Sequence, residues 1–319
     1  VGAPASIDNP DIELPGPWTH RYVSANGARF HLCESLPRSG HVSAPLVLML
    51  HGFPEFWWAW RHQLPVLAAA GYHAVAMDLR GYGASDKPPR GYDPTTLASD
   101  VAGVIRALGT RRAVLVGHGW GGYVGWAVAA QHPECVQALC VVAAPHPSTL
   151  TNGWRTWILP PPVRHLLAMQ VPWLPERRIA RGGYVAQHLT AWSAGDSGFP
   201  STAESDRYRA AFALWPSPHC AVEYHRWLFR SRLRSDGRAF AKTLRRQVDV
   251  PVLHIGGAQD PAEPAGAVAA STRHVDGGFV HHVILGAGHF PHEETPDEFT
   301  QVLLRWLSES AGTSGDAGR

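Results

Sequence analysis

The 319-residue chain is poor in sulfur, with four cysteines and three methionines. Cys33, Cys135, Cys140 and Cys220 form no CxxC pair and no dense framework. That spacing argues against a disulfide scaffold and leads us to expect reduced thiols in a cytoplasmic protein. No apolar run reaches about 18 residues, so no transmembrane segment is expected, although a lipid-facing patch stays open. The proline-rich residues 1–17 carry no signal-peptide pattern. Charge of either sign is scarce and balanced: 28 Lys and Arg face 26 Asp and Glu, and no basic run occurs. A nucleic-acid partner is therefore not expected. The 19 histidines mostly stand singly, and no spacing among them makes a metal motif. Internal repeats are also lacking.

What is present is an ordinary globular composition, 45% hydrophobic and 17% charged. Thirteen tryptophans, clustered at 57–60 and through 154–227, favour a large apolar pocket or lid. Asn26-Gly27 marks a hairpin turn. Apolar runs at 45–50, 73–77, 113–116, 136–143, 251–255 and 282–285 read as buried parallel strands. Between them fall helices at about 58–70 (interrupted by Pro65), through Leu97–Leu108, and at 121–130. Another carries Phe299, Leu303 and Trp306 on one face. From about 146 to 245 the strand rhythm stops and helical patches rich in Pro, Trp and Arg replace it. The expected fold class is α/β: a mostly parallel, doubly wound sheet in two pieces, 18–145 and 246–310, with a helical cap, 146–245, inserted between them. Residues 311–319 read as a disordered tail.

The chemistry concentrates in three loops. Small residues at Gly117 and Gly121 flank position 119 on a strand-to-helix turn, the spacing of a nucleophile elbow. Gly117, Gly119 and Gly122 also match a dinucleotide-binding GxGxxG. The mid-chain strand and the bulky His118 and Trp120 oppose that alternative. Asp260 follows one strand and His289 follows the next, giving the chain order nucleophile, acid, histidine. In that arrangement Asp260 fixes the tautomer of His289 and stabilises its protonated form. Taken singly, Asp260 reads as a turn residue and His289 as a loop histidine, while Glu293 and Glu294 read as surface charge. His51-Gly52-Phe53-Pro54 supplies a loop whose Phe53 N–H, with that of Trp120, would form an oxyanion hole.

These motifs resemble the epoxide hydrolases of the α/β-hydrolase superfamily and the related haloalkane dehalogenases. The resemblance rests on residues 51–55, 78–88 and 288–294 and extends over about 18–310. It implies an elbow aspartate that attacks the substrate carbon, a histidine–acid pair that hydrolyses the resulting ester, and two cap tyrosines that hydrogen-bond to the epoxide oxygen. It implies no metal and no organic cofactor. The chain departs from this pattern twice. Gly119 occupies the aspartate position and carries no nucleophile. Tyr224 resembles the second cap tyrosine, with a packed helix aromatic as the alternative, but His165 or Met169 stands where the first is expected. His118, Asp78 and Arg80 read as architecture, and Trp57 as a substrate-binding aromatic.

The expected ligand is a small to medium apolar molecule, with the oligomeric state open. One reading is a hydrolase in which Asp260 and His289 activate water directly. Another is a catalytically silent protein that binds an apolar ligand. Elimination or oxygen chemistry with His289 as base, and a glycine introduced into an ordinary enzyme, complete the alternatives.

Overall fold

The computed structural model describes residues 11–38, 44–149, 161–181, 183–264 and 266–313. Its strands are β1 (Thr19–Ala25), β2 (Ala28–Ser35), β3 (Leu46–Leu50), β4 (His73–Met77), β5 (Ala113–His118), β6 (Val136–Val142), β7 (Val252–Gly257) and β8 (Phe279–Ile284). They form one sheet in the order β1-β2-β4-β3-β5-β6-β7-β8, antiparallel at β1–β2 and β2–β4 and parallel from β4 onward. The hairpin turns on Asn26 and Gly27, both at positive φ, so its twist matches that of the strands it joins. β3, β4 and β5 are buried along their whole length, which is why they read as unbroken apolar runs. β8 is different: it starts three residues earlier than its apolar run and is largely exposed, as the outermost strand.

The core helices are α1 (Gln63–Ala69), α2 (Pro94–Ala107) and α3 (Trp120–Gln131). The helix expected over 58–70 is instead a 3-10 turn at Trp57–Trp60 followed by α1. Pro65 sits in the first turn of α1, where its missing N–H costs nothing. Asp93 caps α2 by accepting from Thr96 N (2.9 Å), and Gly109 leaves it at positive φ. The chain runs from β3 to β4 in one direction and from β4 across β3 to β5 in the other. Right-handed crossovers in opposite directions place α1 on one face and α2 and α3 on the other. The reversal makes the carboxyl ends of β3 and β5 a topological switch point, where open α/β sheets bind ligands.

Between β6 and β7 the described residues are helical: α4 (Pro161–Ala168), α5 (Leu174–Ala180), α6 (Gly183–Trp192), α7 (Thr202–Ala213), α8 (Ser217–Arg230) and α9 (Ser235–Thr243). Trp154 and Trp157, part of the tryptophan-rich stretch, lie outside the described residues. After β7 come α10 (Ala267–Ser271), α11 (Pro291–Glu294) and α12 (Pro296–Thr313). Phe299, Leu303, Trp306 and Leu307 are the buried stripe of α12. That helix runs into the stretch read as a tail, and residues 314–319 lie outside the described residues. No helix among the described residues is long and apolar enough to cross a membrane. All four cysteines are buried and free.

Asp78 and Arg80 are architectural, through separate partners. The buried Asp78 carboxylate accepts from His31 Nδ1 (2.8 Å), Trp57 N (2.8 Å) and Ala84 N (3.0 Å), tying three segments to the end of β4. Arg80 forms a bidentate pair with Asp100, both bonds 2.6 Å.

Candidate active site

β5 ends at His118, Gly119 takes φ +51°, and α3 begins at Trp120. The glycines of this turn do different jobs. A Cβ on Gly117 would lie 2.4 Å from Gly121 O, one on Gly121 2.1 Å from Leu50 O, and one on Gly122 2.5 Å from Ala144 Cβ. Those three allow close packing around the turn, and Gly117 and Gly122, two of the three glycines of the GxGxxG match, are thus accounted for by internal packing. A Cβ on Gly119 would meet only Gly52 Cα at 3.7 Å and His289 Nε2 at 3.8 Å, ordinary contacts. Position 119 is thus the one elbow glycine with room for a side chain, and it faces the histidine.

His289 Nδ1 lies 2.9 Å from Asp260 Oδ2. An ionised carboxylate only accepts, so Nδ1 carries the proton and the Nε2 lone pair points toward Gly119. Asp260 is itself held by Ala262 N, which donates to Oδ1 (2.7 Å). The loop around His289 is fastened by a residue read from sequence as surface charge. Glu294 is buried, and its carboxylate accepts from Gly288 N (2.9 Å), Phe290 N (2.8 Å) and Ala194 N (2.7 Å). Glu293 is buried too, paired with Arg61 at 2.7 Å and hydrogen-bonded by Tyr208. Both carboxylates are therefore internal struts, contrary to the sequence reading. Beneath the elbow His118 pairs with the fully buried Glu55 (2.7 Å) and donates from Nε2 to His289 O (2.9 Å). Glu55 holds the His118 pKa above the usual histidine range despite burial, and His118 and His292 hold the Glu55 carboxyl well below its own.

A cavity of about 930 Å³ opens over this dyad. Phe53, Gly119, Trp120, His165, His225 and His289 are among its walls. Phe53 and Trp120, the expected oxyanion-hole residues, thus both border the cavity, and no backbone or side-chain group of the described residues accepts from either backbone N–H.

Three sequence-based assignments fail here. Trp57 is buried away from the cavity, its Nε1 donating to Ile12 O (2.8 Å) and its ring edge-on to Trp18. Met169 is buried in the hydrophobic core and does not border the cavity, so of the two candidates for the first tyrosine position only His165 does. Tyr224 points the other way: its hydroxyl donates to Arg80 O (2.7 Å) and its ring packs on Tyr82. We expect Tyr224→Phe to cost about 1–2 kcal/mol of stability in urea unfolding, and to leave any turnover by the protein within about twofold. A large loss of turnover at unchanged stability would contradict this placement.

The residue that faces the cavity is its neighbour, His225, which sequence reasoning missed. His225 Nδ1 donates to Ala221 O (2.9 Å), so Nε2 accepts from Trp120 Nε1 (3.1 Å). His165 Nε2, 3.0 Å from the same nitrogen, then carries a proton, and its Nδ1 accepts from Tyr184 OH (2.7 Å). Burial holds His225 at about 4 and pushes His165 and His188 well below the usual histidine range, so all three are neutral. The indole N–H of Trp120 is thereby committed to the cap. His165 was marked by its place where the first cap tyrosine is expected; for His225 the only sequence signal was a polar residue in helical, Trp-rich text.

The sequence profile of the alpha/beta hydrolase family matches residues 47–302. Epoxide hydrolase 3 of Xenopus tropicalis is 32% identical over 305 residues, covering 91% of this chain and 78% of that protein. Epoxide hydrolase A of Mycobacterium tuberculosis is 32% identical over 321 residues, covering 91% and 97%. Among solved structures, an epoxide hydrolase from an endophytic Streptomyces superposes with a TM-score of 0.79 at 29% identity, over 92% of this chain and 96% of that one. Matching motifs, sheet order and relatives of nearly the same extent lead to one assignment: this chain is an epoxide-hydrolase-like member of the alpha/beta hydrolase family.

Proposed function

We propose that the protein hydrolyses a medium-sized apolar ester by direct activation of water at His289. The observation that carries this reading is the open position at Gly119. Its missing Cβ would sit 3.8 Å from His289 Nε2, so the space of a nucleophile's side chain is left to a water beside the base. In this reaction His289 Nε2 takes a proton from that water as its oxygen bonds to the acyl carbon. Asp260 stabilises the imidazolium, and the Phe53 and Trp120 N–H groups receive the oxyanion. Collapse of the tetrahedral intermediate breaks the acyl C–O bond. His289 returns the proton to the leaving alkoxide, releasing acid and alcohol.

An ester fits better than an epoxide. An epoxide oxygen needs an acidic donor as its ring opens, yet the Tyr224 hydroxyl is spent on Arg80 O. On the cavity wall itself, Trp120 Nε1 and His165 Nε2 are also committed, both pointing at His225. The described helices between β6 and β7 act as the lid of the cavity, with His165, Leu166, His188, Trp192 and His225 among its walls, which favour apolar ligands.

The test is a panel of aryl and alkyl esters and epoxides. Ester turnover without an initial burst is expected, and His289→Ala should reduce it about 10²- to 10⁴-fold. In H₂¹⁸O a single turnover should label the acid product. An acyl-enzyme seen by intact mass would overturn direct water attack. The second reading is a ligand-binding protein, favoured by the large cavity beside a position with no nucleophile. Tight binding of apolar esters with no turnover would establish it and sink the enzyme.

A further inference from the structure

Away from the elbow, β7 and β8 pair in register with His254 opposite His281, so the two side chains share a face of the sheet. Glu263, on the loop that follows β7, comes down on the same face. One ligand atom from each of the three lies within 4.8 Å of the others. The geometry points to a divalent-cation site, zinc by its donor set, formed by His254, Glu263 and His281.

Two observations carry this assignment. First, His254 is fully buried, and neither ring nitrogen has a hydrogen-bond partner among the described residues; buried Glu263 Oε2 likewise has none. Buried polar atoms in native proteins are almost always satisfied by protein, water or an ion. Second, His254 Nε2 and Glu263 Oε2 are 3.3 Å apart yet make no hydrogen bond. Two ligands about 2.0–2.1 Å from one tetrahedral zinc stand about 3.3–3.4 Å apart. Gly256 helps to keep the space clear. A Cβ there would press to 3.2 Å from Glu263 Oε2 and 3.3 Å from His254 Cε1. A His₂Glu set leaves a fourth position open.

The consequence is positional. Glu263 borders the cavity and stands three residues beyond Asp260, so zinc would clamp the Asp260 loop to β7 and β8. The inference does not rest on the reaction proposed above, and its readout is binding.

Chelator-stripped full-length protein should take up one tight equivalent of Zn²⁺ in competition with a chromophoric chelator. Saturation should raise Tm by about 5 °C at a hundredfold excess over Kd. His281→Ala changes an exposed residue and should weaken that equivalent at least about tenfold, as should Glu263→Gln. His62→Ala, in a separate histidine–carboxylate group, should leave it intact. Failure of the stripped protein to bind one equivalent would overturn the site. So would an unchanged equivalent in folded His281→Ala and Glu263→Gln.

Discussion

Gly119→Asp is expected to open the covalent route, raising epoxide turnover at least about 10³-fold. Removing a nucleophile that works within a triad costs roughly 10⁶ in rate, so restoring one beside an assembled base and acid should recover much of that factor. The backbone can accept it. The flanking glycines that the turn requires are in place, and a Cβ at 119 makes only ordinary contacts. The φ of +51° costs an aspartate about 1–3 kcal/mol, so the variant should be less stable than the parent. Recovery should stop short of the full factor, because Tyr224 does not present its hydroxyl to the cavity. The chemistry is readable directly. In Gly119→Asp/His289→Ala the ester of the introduced carboxylate should form and persist, adding the mass of the epoxide to the intact protein. If neither turnover nor adduct appears, the empty elbow is not what closes the epoxide route.

The second large effect is acid unfolding. Burial holds His146 at about 3 and His225 and His292 at about 4, and it also lowers His51, His165 and His188. A buried neutral histidine binds fewer protons folded than unfolded between its folded pKa and its ordinary 6.5. Stability is therefore complete above about 6.5 and falls as pH drops toward the folded value, by about 2 kcal/mol at pH 5 for each of the three histidines held at about 3 or 4. Two groups oppose this trend. His118 has a raised pKa, and burial pushes Glu293 up to about 7, so both favour the folded state as protons bind. The lowered histidines outnumber the groups that oppose them, so the balance is a loss of stability as pH falls from 7 to 5. Urea midpoints measured from pH 8 to 5 should fall steeply below about 6.5. A flat profile would show that the cap histidines are solvated or charged.

Much of this protein was legible in its sequence because the signals are local. A strand buried on both faces must be apolar throughout, which marked β3, β4 and β5. The elbow announced itself because Gly117 and Gly121 each sit where backbone touches backbone, and no other residue fits. The order of elbow, acid and histidine follows from the order of strands in a parallel sheet. The weaker reading at β8 has the same origin: an outer strand exposes alternate residues and loses its unbroken run.

Which way a side chain faces was decided only by the tertiary structure. Tyr224 and His225 are adjacent on α8, about 100° apart around the helix axis. The packing of α8 against α4, α5 and α7 sent the tyrosine to Arg80 and the histidine into the cavity. Glu293 and Glu294 look like surface charge until Arg61, the distant Ala194 N–H and the nearby Gly288 and Phe290 N–H groups enclose them. His254 and His281 share no motif and meet through the register of β7 against β8. At position 119 the sequence by itself determined that a strand-to-helix turn flanked by Gly117 and Gly121 carries glycine at its centre. The fold alone decided that the space left there opens onto His289 Nε2, because that depends on where a loop some 170 residues further on is held.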